Sequence, residues 1–239
     1  MKLLDLTLDS PAENLALDEA LLEQAEAGQS DDDVLRLWES QQTAVIIGRS
    51  SRMHDEVEVA ACTRESIPVL RRCSGGTSVV IGPGCLMYSV VLSYERNPSL
   101  RMVDVAHRYV LGKVADAVKQ FVPSAVFQGT SDLTLGNRKF SGNSLRCKRD
   151  HLLYHGTLLC DFSLDLIGRW LKAPPRQPGY RQQRSHEEFV TNLGVDRGQL
   201  RYALVEQWQA IDVLEAWPEL LTSQLVTERY LQATWHHRL

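Results

Sequence analysis

The densest run of chemistry-bearing residues is Arg71-Arg72-Cys73-Ser74-Gly75-Gly76-Thr77, which joins one β-branched run to the next. Two adjacent glycines leave backbone N–H groups unshielded, so an anion can approach closely, and arginines supply bidentate charge-assisted bonds to a phosphate or carboxylate. The run suits an anion cradle, and a glycine turn with solvated arginines would use the same residues. It is neither a Walker loop nor a Rossmann fingerprint, because GxxxxGK[ST] and GxGxxG are both absent.

Lys139 is the second candidate. It follows Gly136-Asn137, a two-residue hairpin signal between 133–135 and 138–140, and precedes Ser141-Gly142-Asn143. A lysine fixed on such a strand can stand beside a carboxylate and the phosphate joined to it, stabilising charge that develops in acyl transfer. The competing reading is a solvent-facing strand lysine. Asp132 opens the same hairpin and reads as a turn carboxylate, a ribose contact or a Mg²⁺ ligand. In His155-Gly156-Thr157 the glycine would let a ligand chain lie flat against the backbone, and His155 suits a catalyst or a structural hydrogen bonder.

Cys62, Cys73, Cys85, Cys147 and Cys160 form no CxxC pair and no zinc-spaced Cys/His cluster, so neither a metal site nor a disulfide framework is expected. If thioester chemistry operates, Cys73 comes first, because Arg71 and Arg72 would depress its thiol pKa.

These residues need elements to position them. Ser10-Pro11-Ala12-Glu13 reads as a capping box, with Leu15, Leu21, Leu22 and Ala25 forming one apolar face before Gly28. Strand-like runs follow at 34–38, 43–47, 69–72, 77–81 and 87–92, which predicts a sheet built early in the chain. Ala106, Val110, Val114, Ala117 and Phe121 recur at helical spacing over 103–121. A further strand is predicted at 152–160. Residues 171–185 carry three prolines, one glycine and three arginines and read as a mobile loop. Helical patterns return at 200–208 and after Pro218. This order is α+β rather than a regular βαβ alternation.

At 239 residues with 44% hydrophobic and 23% charged content, the chain has ample material for one core, and a single domain over 1–239 is expected. A net charge of −4 gives no electrostatic case for nucleic acid. The N-terminus lacks a basic start with a long apolar run, and no 18-residue apolar stretch occurs, so export and membrane insertion are disfavoured and a reducing cytoplasm is expected.

Five segments, in order, resemble the catalytic domain of the lipoate-protein ligase family, part of the biotin/lipoate ligase superfamily. They are Asn14-Leu15-Ala16-Leu17-Asp18-Glu19, Ala44-Val45-Ile46-Ile47-Gly48-Arg49, Val69-Leu70 running through Gly75-Gly76, Ser131-Asp132-Leu133-Thr134 with Arg138 to Gly142, and His155-Gly156-Thr157-Leu158-Leu159. Residues 184–193 resemble, more weakly, the family's adenylate-binding loop. The resemblance implies a central mixed β-sheet flanked by helices, with a tunnel for the acyl chain. It also implies that Arg71, Arg72, Ser74, Gly75, Gly76, Thr77, Ser141 and Gly142 bound the acyl and adenylate site. Lys139 would contact the activated carboxyl and its phosphate, and His155, Gly156 and Thr157 would line the tunnel. Asp132 matches the family's acidic residue, with Ser131 in place of the usual preceding asparagine, and no side-chain cluster for a metal is expected beyond a Mg²⁺ contact there.

The implied activity is attack of lipoate or octanoate on Mg-ATP to give the acyl-adenylate, then transfer to a lysine of lipoyl carrier domains of 2-oxoacid dehydrogenases or the glycine cleavage H protein. Two departures stand out. Thr77 replaces the third glycine of the family's RRxSGGG run, and the chain ends near Trp235 where larger ligases continue, so a separate accessory subunit is an expected partner. Three alternatives stand beside this activity: an acyl-carrier-dependent octanoyl or lipoyl transferase with a cysteine thioester, disfavoured because 121–138 contains no cysteine; biotin ligation, for which Gly48-Arg49-Ser50-Ser51-Arg52 is only a faint counterpart; and a catalytically silent acyl-binding subunit.

Overall fold

The computed structural model describes residues 1–239. Its strands are β1 (Lys2–Asp5), β2 (Val34–Glu39), β3 (Ala44–Ile47), β4 (Val69–Arg71), β5 (Val79–Ile81), β6 (Cys85–Ser93), β7 (Val126–Gln128), β8 (Asp132–Leu135), β9 (Arg138–Cys147), β10 (His151–Leu159) and β11 (Asp212–Val213). Eight form a mixed sheet in the order β11-β1-β2-β6-β10-β9-β8-β7, in which β11, β1 and β2 run parallel and the remaining pairs antiparallel. The α+β class with a central mixed sheet and flanking helices is thus the observed fold.

The early strands do not all join that sheet. β3, β4 and β5 make a separate three-stranded sheet in the order β4-β3-β5. The reason is positional: β2 is already flanked by β1 and β6, so the run that follows it has no free edge to extend.

The pleat divides the large sheet chemically. Leu35, Leu37, Tyr88, Val90, Tyr154 and Leu158 point to one face and pack under the helices Val103–Lys119 and Arg197–Trp208. The other face carries two cross-strand rows. One is Arg36, Ser89, His155 and Ser144; the next is Trp38, Met87, Thr157, Gly142 and Asp132. Over this face lie the helix Pro11–Glu26 and the small sheet.

Ser10 caps that helix and Glu13 closes the capping box, an arrangement worth about 1 kcal/mol. The single apolar face predicted for it is too narrow a description. Twelve of its sixteen residues are buried, Asn14, Asp18 and Glu19 among them, because the sheet covers one side and the C-terminal segment the other. Its carboxylates survive burial by pairing, Asp18 with Arg36 and Glu19 with Arg229 and Tyr230.

The predicted hairpin forms, with Gly136 (φ 51°) and Asn137 (φ 66°) both left-handed as a mirror-type turn requires. A bulge follows: Leu133 faces Ser141, but Thr134 faces Lys139, leaving Phe140 unpaired. In a regular strand Lys139 and Gly142, three residues apart, would point to opposite faces. The bulge turns Lys139 onto the face of Gly142 and sends Phe140 into the opposite core.

Candidate functional site

A cavity of about 490 Å³ opens between the second face of the large sheet and the small sheet. Leu15, Trp38, Ile46, Ile81 and Met87 give it a buried apolar end. Its mouth is polar and carries Thr77, Asp132 and Lys139, with Arg176, Gln177 and Pro178 arriving from the 171–185 segment. A smaller cavity of about 80 Å³ adjoins at Thr77, Val79, Lys139, Gly142 and Thr157, so Lys139 stands at the junction of the two.

At that junction Lys139 Nζ lies 2.6 Å from Asp132 Oδ1, and the Tyr180 hydroxyl donates to Asp132 Oδ2 at 2.7 Å. The lysine stem folds across Gly142, where a Cβ would stand 2.9 Å from Lys139 Cε. Glycine at 142 therefore sets the path of the lysine. Gly156 is constrained by its neighbours as well. A Cβ there would collide with the Asn143 side chain and Tyr88 Cε1, which pack behind the strand and bond to each other through the Tyr88 hydroxyl at 2.5 Å. The residue makes room for Asn143 and Tyr88, and both Gly156 and Asn143 also line the cavity.

The loop 74–77 has an unusual division of its backbone groups. Every carbonyl is bonded: Ser74 O accepts from Arg49 N–H, Gly75 O from Arg72 and Ser144 Oγ, Gly76 O from Ser51 Oγ, and Thr77 O from Arg72. None of the four N–H groups donates to the protein. Gly76 adopts φ +85°, which turns successive amides in a way an anion-binding nest requires.

The arginines do not act as the sequence suggested. Arg72 lines the cavity and donates through Nε to Ser74 Oγ, through Nη1 to Ile46 O and through Nη2 to Gly75 O and Thr77 O, so its fork holds the loop. Burial pushes its guanidinium down to about 10, with Glu56 countering, which still leaves it protonated at neutral pH. Arg71 lies outside the cavity. Its guanidinium is saturated by the carbonyls of Gly48, Arg49, Ser51, Trp235 and His236, tying the C-terminal segment to the loop before it. Both are buried, and a buried guanidinium surrounded by carbonyls satisfies them before it satisfies solvent or ligand.

His155 reaches the cavity wall with Nε2 2.6 Å from Ser74 Oγ and Nδ1 3.3 Å from Asp18 Oδ2. Burial alone would raise the Asp18 carboxyl, but Arg36 and His155 outweigh it and hold it below the ordinary carboxylate range. Thr157 lines both cavities, and Ser141 lines the smaller one while bonding Asn143.

Cys73 overturns the expectation of an activated thiol. It is buried beneath the first helix, and desolvation together with Glu19 pushes its thiol well up, against the weaker influence of Arg146. Burial also raises Cys62, Cys85 and Cys160. No cysteine lines the large cavity.

The 171–185 segment sits over the mouth. Tyr180 lies against Gly129, where a Cβ would be 3.3 Å from its ring. Arg184 bonds Asn137 O and Tyr180 O, and Arg181 and Arg184 stack over Phe189 at 4.7 and 5.3 Å. Sequence reading missed Asp18 and its buried partner Arg36, Trp38 and Met87 in the cavity wall, and Tyr180 as the partner of Asp132 at the mouth. One signal was present for the first two: an arginine inside the apolar run Val34–Glu39 needs a buried carboxylate, and Asp18 sits in an otherwise apolar stretch.

The family described as the lipoyl protein ligase A/B catalytic domain matches residues 10–202. Lipoate-protein ligase A of Bdellovibrio bacteriovorus is 28% identical over 227 residues, covering 90% of this chain and 62% of that protein. Octanoyltransferase LipM of Carboxydothermus hydrogenoformans is 29% identical over 180 residues, covering 68% and 66%. The chain spans roughly three fifths of the length of curated ligases it matches. Among solved structures, the bi-partite lipoate protein ligase of Thermoplasma acidophilum, reported with its E2 lipoyl domain, superposes with a TM-score of 0.83 at 23% identity, covering 100% of this chain and 96% of that one. A lipoate-protein ligase A bound with ATP gives 0.81 at 24%, covering 99% and 98%. At these identities the structural likeness speaks to the fold.

Proposed function

The chain belongs to the lipoyl protein ligase A/B catalytic-domain family, and on that premise we propose that it activates lipoate, or octanoate, with ATP and passes the acyl group to a lysine of a lipoyl carrier domain. In the first step a carboxylate oxygen attacks the α-phosphorus of ATP, forming the acyl-adenylate as pyrophosphate leaves. In the second the lysine amine attacks the acyl carbonyl, forming the amide as AMP leaves and the amine gives up its proton.

The observation that carries this reading is the loop 74–77, whose N–H groups have no protein acceptor and whose Gly76 and Thr77 line the same cavity as Lys139. Amides and an ammonium at one place suit the phosphate and carboxyl oxygens of a mixed anhydride, where charge develops in both steps. The buried apolar end fits an acyl chain, and the smaller cavity, with Val80, Phe189 and Val190 in its walls, is too small for a whole nucleoside and would take only part of the nucleotide, the rest lying in the polar part of the large cavity. Asp132 is the one carboxylate at the polar mouth, which suits a Mg²⁺ ion held chiefly by nucleotide phosphates. Holding both reactants across Lys139 supplies proximity.

The absence of cysteine from the large cavity supports adenylation over a thioester route. By analogy with the Thermoplasma ligase, which is described as bi-partite and with its E2 lipoyl domain, the acceptor we propose is a lipoyl domain, with a separate accessory subunit as a further proposed partner.

ATP-pyrophosphate exchange is the direct test, run with the chain alone and again with a candidate accessory subunit. Exchange that depends on lipoate or octanoate is the expected result. Acyl transfer without ATP, through an acyl-enzyme adduct visible by intact mass, would overturn it.

A further inference from the structure

A continuous line of buried hydrogen bonds runs from the first helix to the loop 74–77. Asp18 is 2% exposed and its carboxylate can only accept. Oδ1 takes Arg36 Nη1 at 2.6 Å and Ser89 Oγ at 2.8 Å, while Oδ2 faces His155 Nδ1 at 3.3 Å. Nδ1 must therefore carry a hydrogen, which in the neutral ring makes Nε2 an acceptor. Its neighbour at 2.6 Å is Ser74 Oγ, so the serine donates to the histidine and its oxygen is left to accept from Arg72 Nε at 3.1 Å. Arg72 in turn grips Gly75 O and Thr77 O.

We infer that Asp18 and His155 are positioning residues for the reaction proposed above: Asp18 fixes the tautomer of His155, and through Ser74 and Arg72 that choice holds the backbone of the loop 74–77, and with it Gly76 and Thr77 and their unbonded N–H groups, in place at the cavity wall. In the opposite tautomer His155 Nε2–H and Arg72 Nε–H would both point at Ser74 Oγ, and the serine hydrogen would have to turn away. The line would lose its single direction at the residue that begins the loop. No part of this requires Ser74 to act as a nucleophile. The inference rests on the adenylation reading for its kinetic half only.

The test combines ¹⁵N NMR of histidine-labelled, ligand-free protein with adenylation kinetics. Wild type should show the hydrogen on His155 Nδ1. In Asp18→Asn the amide oxygen is still claimed by two donors, Arg36 and Ser89, so its NH₂ faces Nδ1 and the hydrogen should move to Nε2. Where an imidazole orients by this device and also moves the proton, the wrong tautomer costs about 10⁴ in rate; where it only aims a donor, a loss in kcat on the order of 10–10² is expected, with both KM values kept within about threefold.

Ser74→Ala should give the same kinetic loss with the tautomer unchanged, and the double variant should be no slower than either single one, since both interrupt one line. Ser74→Ala also keeps the question open to measurement if Asp18→Asn does not fold. A wild type with the hydrogen on Nε2, or additive losses in the double variant, overturns the inference. If wild type forms no adenylate, the adenylation reading falls instead, because the tautomer is read without any ligand.

Discussion

The loop 74–77 and the segment 171–185 face the same cavity from opposite sides and are held in opposite ways. The loop is fixed from below: an arginine fork, two serine hydroxyls and an amide bind its four carbonyls, drawn from the residue after β4, from β9 and from residues 49–51. The lid is fixed at its base, where Arg184 reaches the hairpin tip and Ser185 caps the short helix His186–Phe189. Over the cavity itself one side-chain bond, Tyr180 to Asp132, latches it. In the proposed reaction the rigid half would present donors whose geometry needs no reorganisation when charge develops, and the releasable half would admit reactants and exclude water. Lys139 belongs to both, since its carboxylate partner is also the latch's acceptor.

Removing the fork should break this contrast most severely. Arg72→Ala deprives Gly75 and Thr77 carbonyls of a buried partner and leaves Ser74 with one, which should cost about 3–5 kcal/mol in chemical denaturation. Arg72→Lys should recover little, because one ammonium cannot span the four acceptors of a planar fork. A stability loss under about 1 kcal/mol would mean the loop is held by something else.

Next in size is Lys139→Ala, which removes the cation shared by the two halves while both stay folded. Loss of one such donor costs on the order of 10²–10³ in rate, with stability close to wild type because the residue is half-buried. Near-normal acyl-adenylate formation by the folded variant would end the role proposed for this lysine.

Gly76→Ala sharpens the comparison by straining the rigid half alone. Its φ of +85° disfavours any L side chain, and the new Cβ would lie 2.8 Å from Arg72 Nη2. We expect about 1–2 kcal/mol of destabilisation and a larger fall in kcat than in the lid variant described below. An alanine variant with unchanged kcat would show that the amide directions at 74–77 are not needed.

The two halves were unequally legible in the sequence. Gly136-Asn137 announced its hairpin because mirror turns demand that chemistry, and Lys139 was located with it. The side it faces was not readable, since the bulge at Phe140 depends on pairing with β8. Ser74-Gly75-Gly76 announced close backbone approach, but the arginines beside them misled. Their partners are carbonyls at Ile46, Gly48 and His236, which no local pattern brings near. The pairing of Asp18 with Arg36 was hidden for the same reason, although a charge in a buried strand hinted that a partner existed. The lid was readable by composition alone, through its prolines and arginines, whereas the single tyrosine that latches it looks in sequence like any loop aromatic.

The smallest expected effect tests the releasable half. Tyr180→Phe deletes one hydroxyl, and the ring keeps its seat against Gly129 and Phe189. A single hydrogen bond to a carboxylate contributes about 1.5–3 kcal/mol at most, and here part of that is recovered because Asp132 keeps Lys139. Global stability should therefore change by about 1 kcal/mol or less. The local consequence should be easier to see: limited proteolysis within 171–185 of the free protein should speed up several-fold, because cleavage follows the population of the open form. Adding lipoate, ATP and Mg²⁺ should restore protection in the variant as in wild type, since the ligands then replace the latch. A variant cut no faster than wild type would show that Arg184 and the capped helix hold the segment by themselves, and the contrast between a fixed loop and a latched lid would have to be given up.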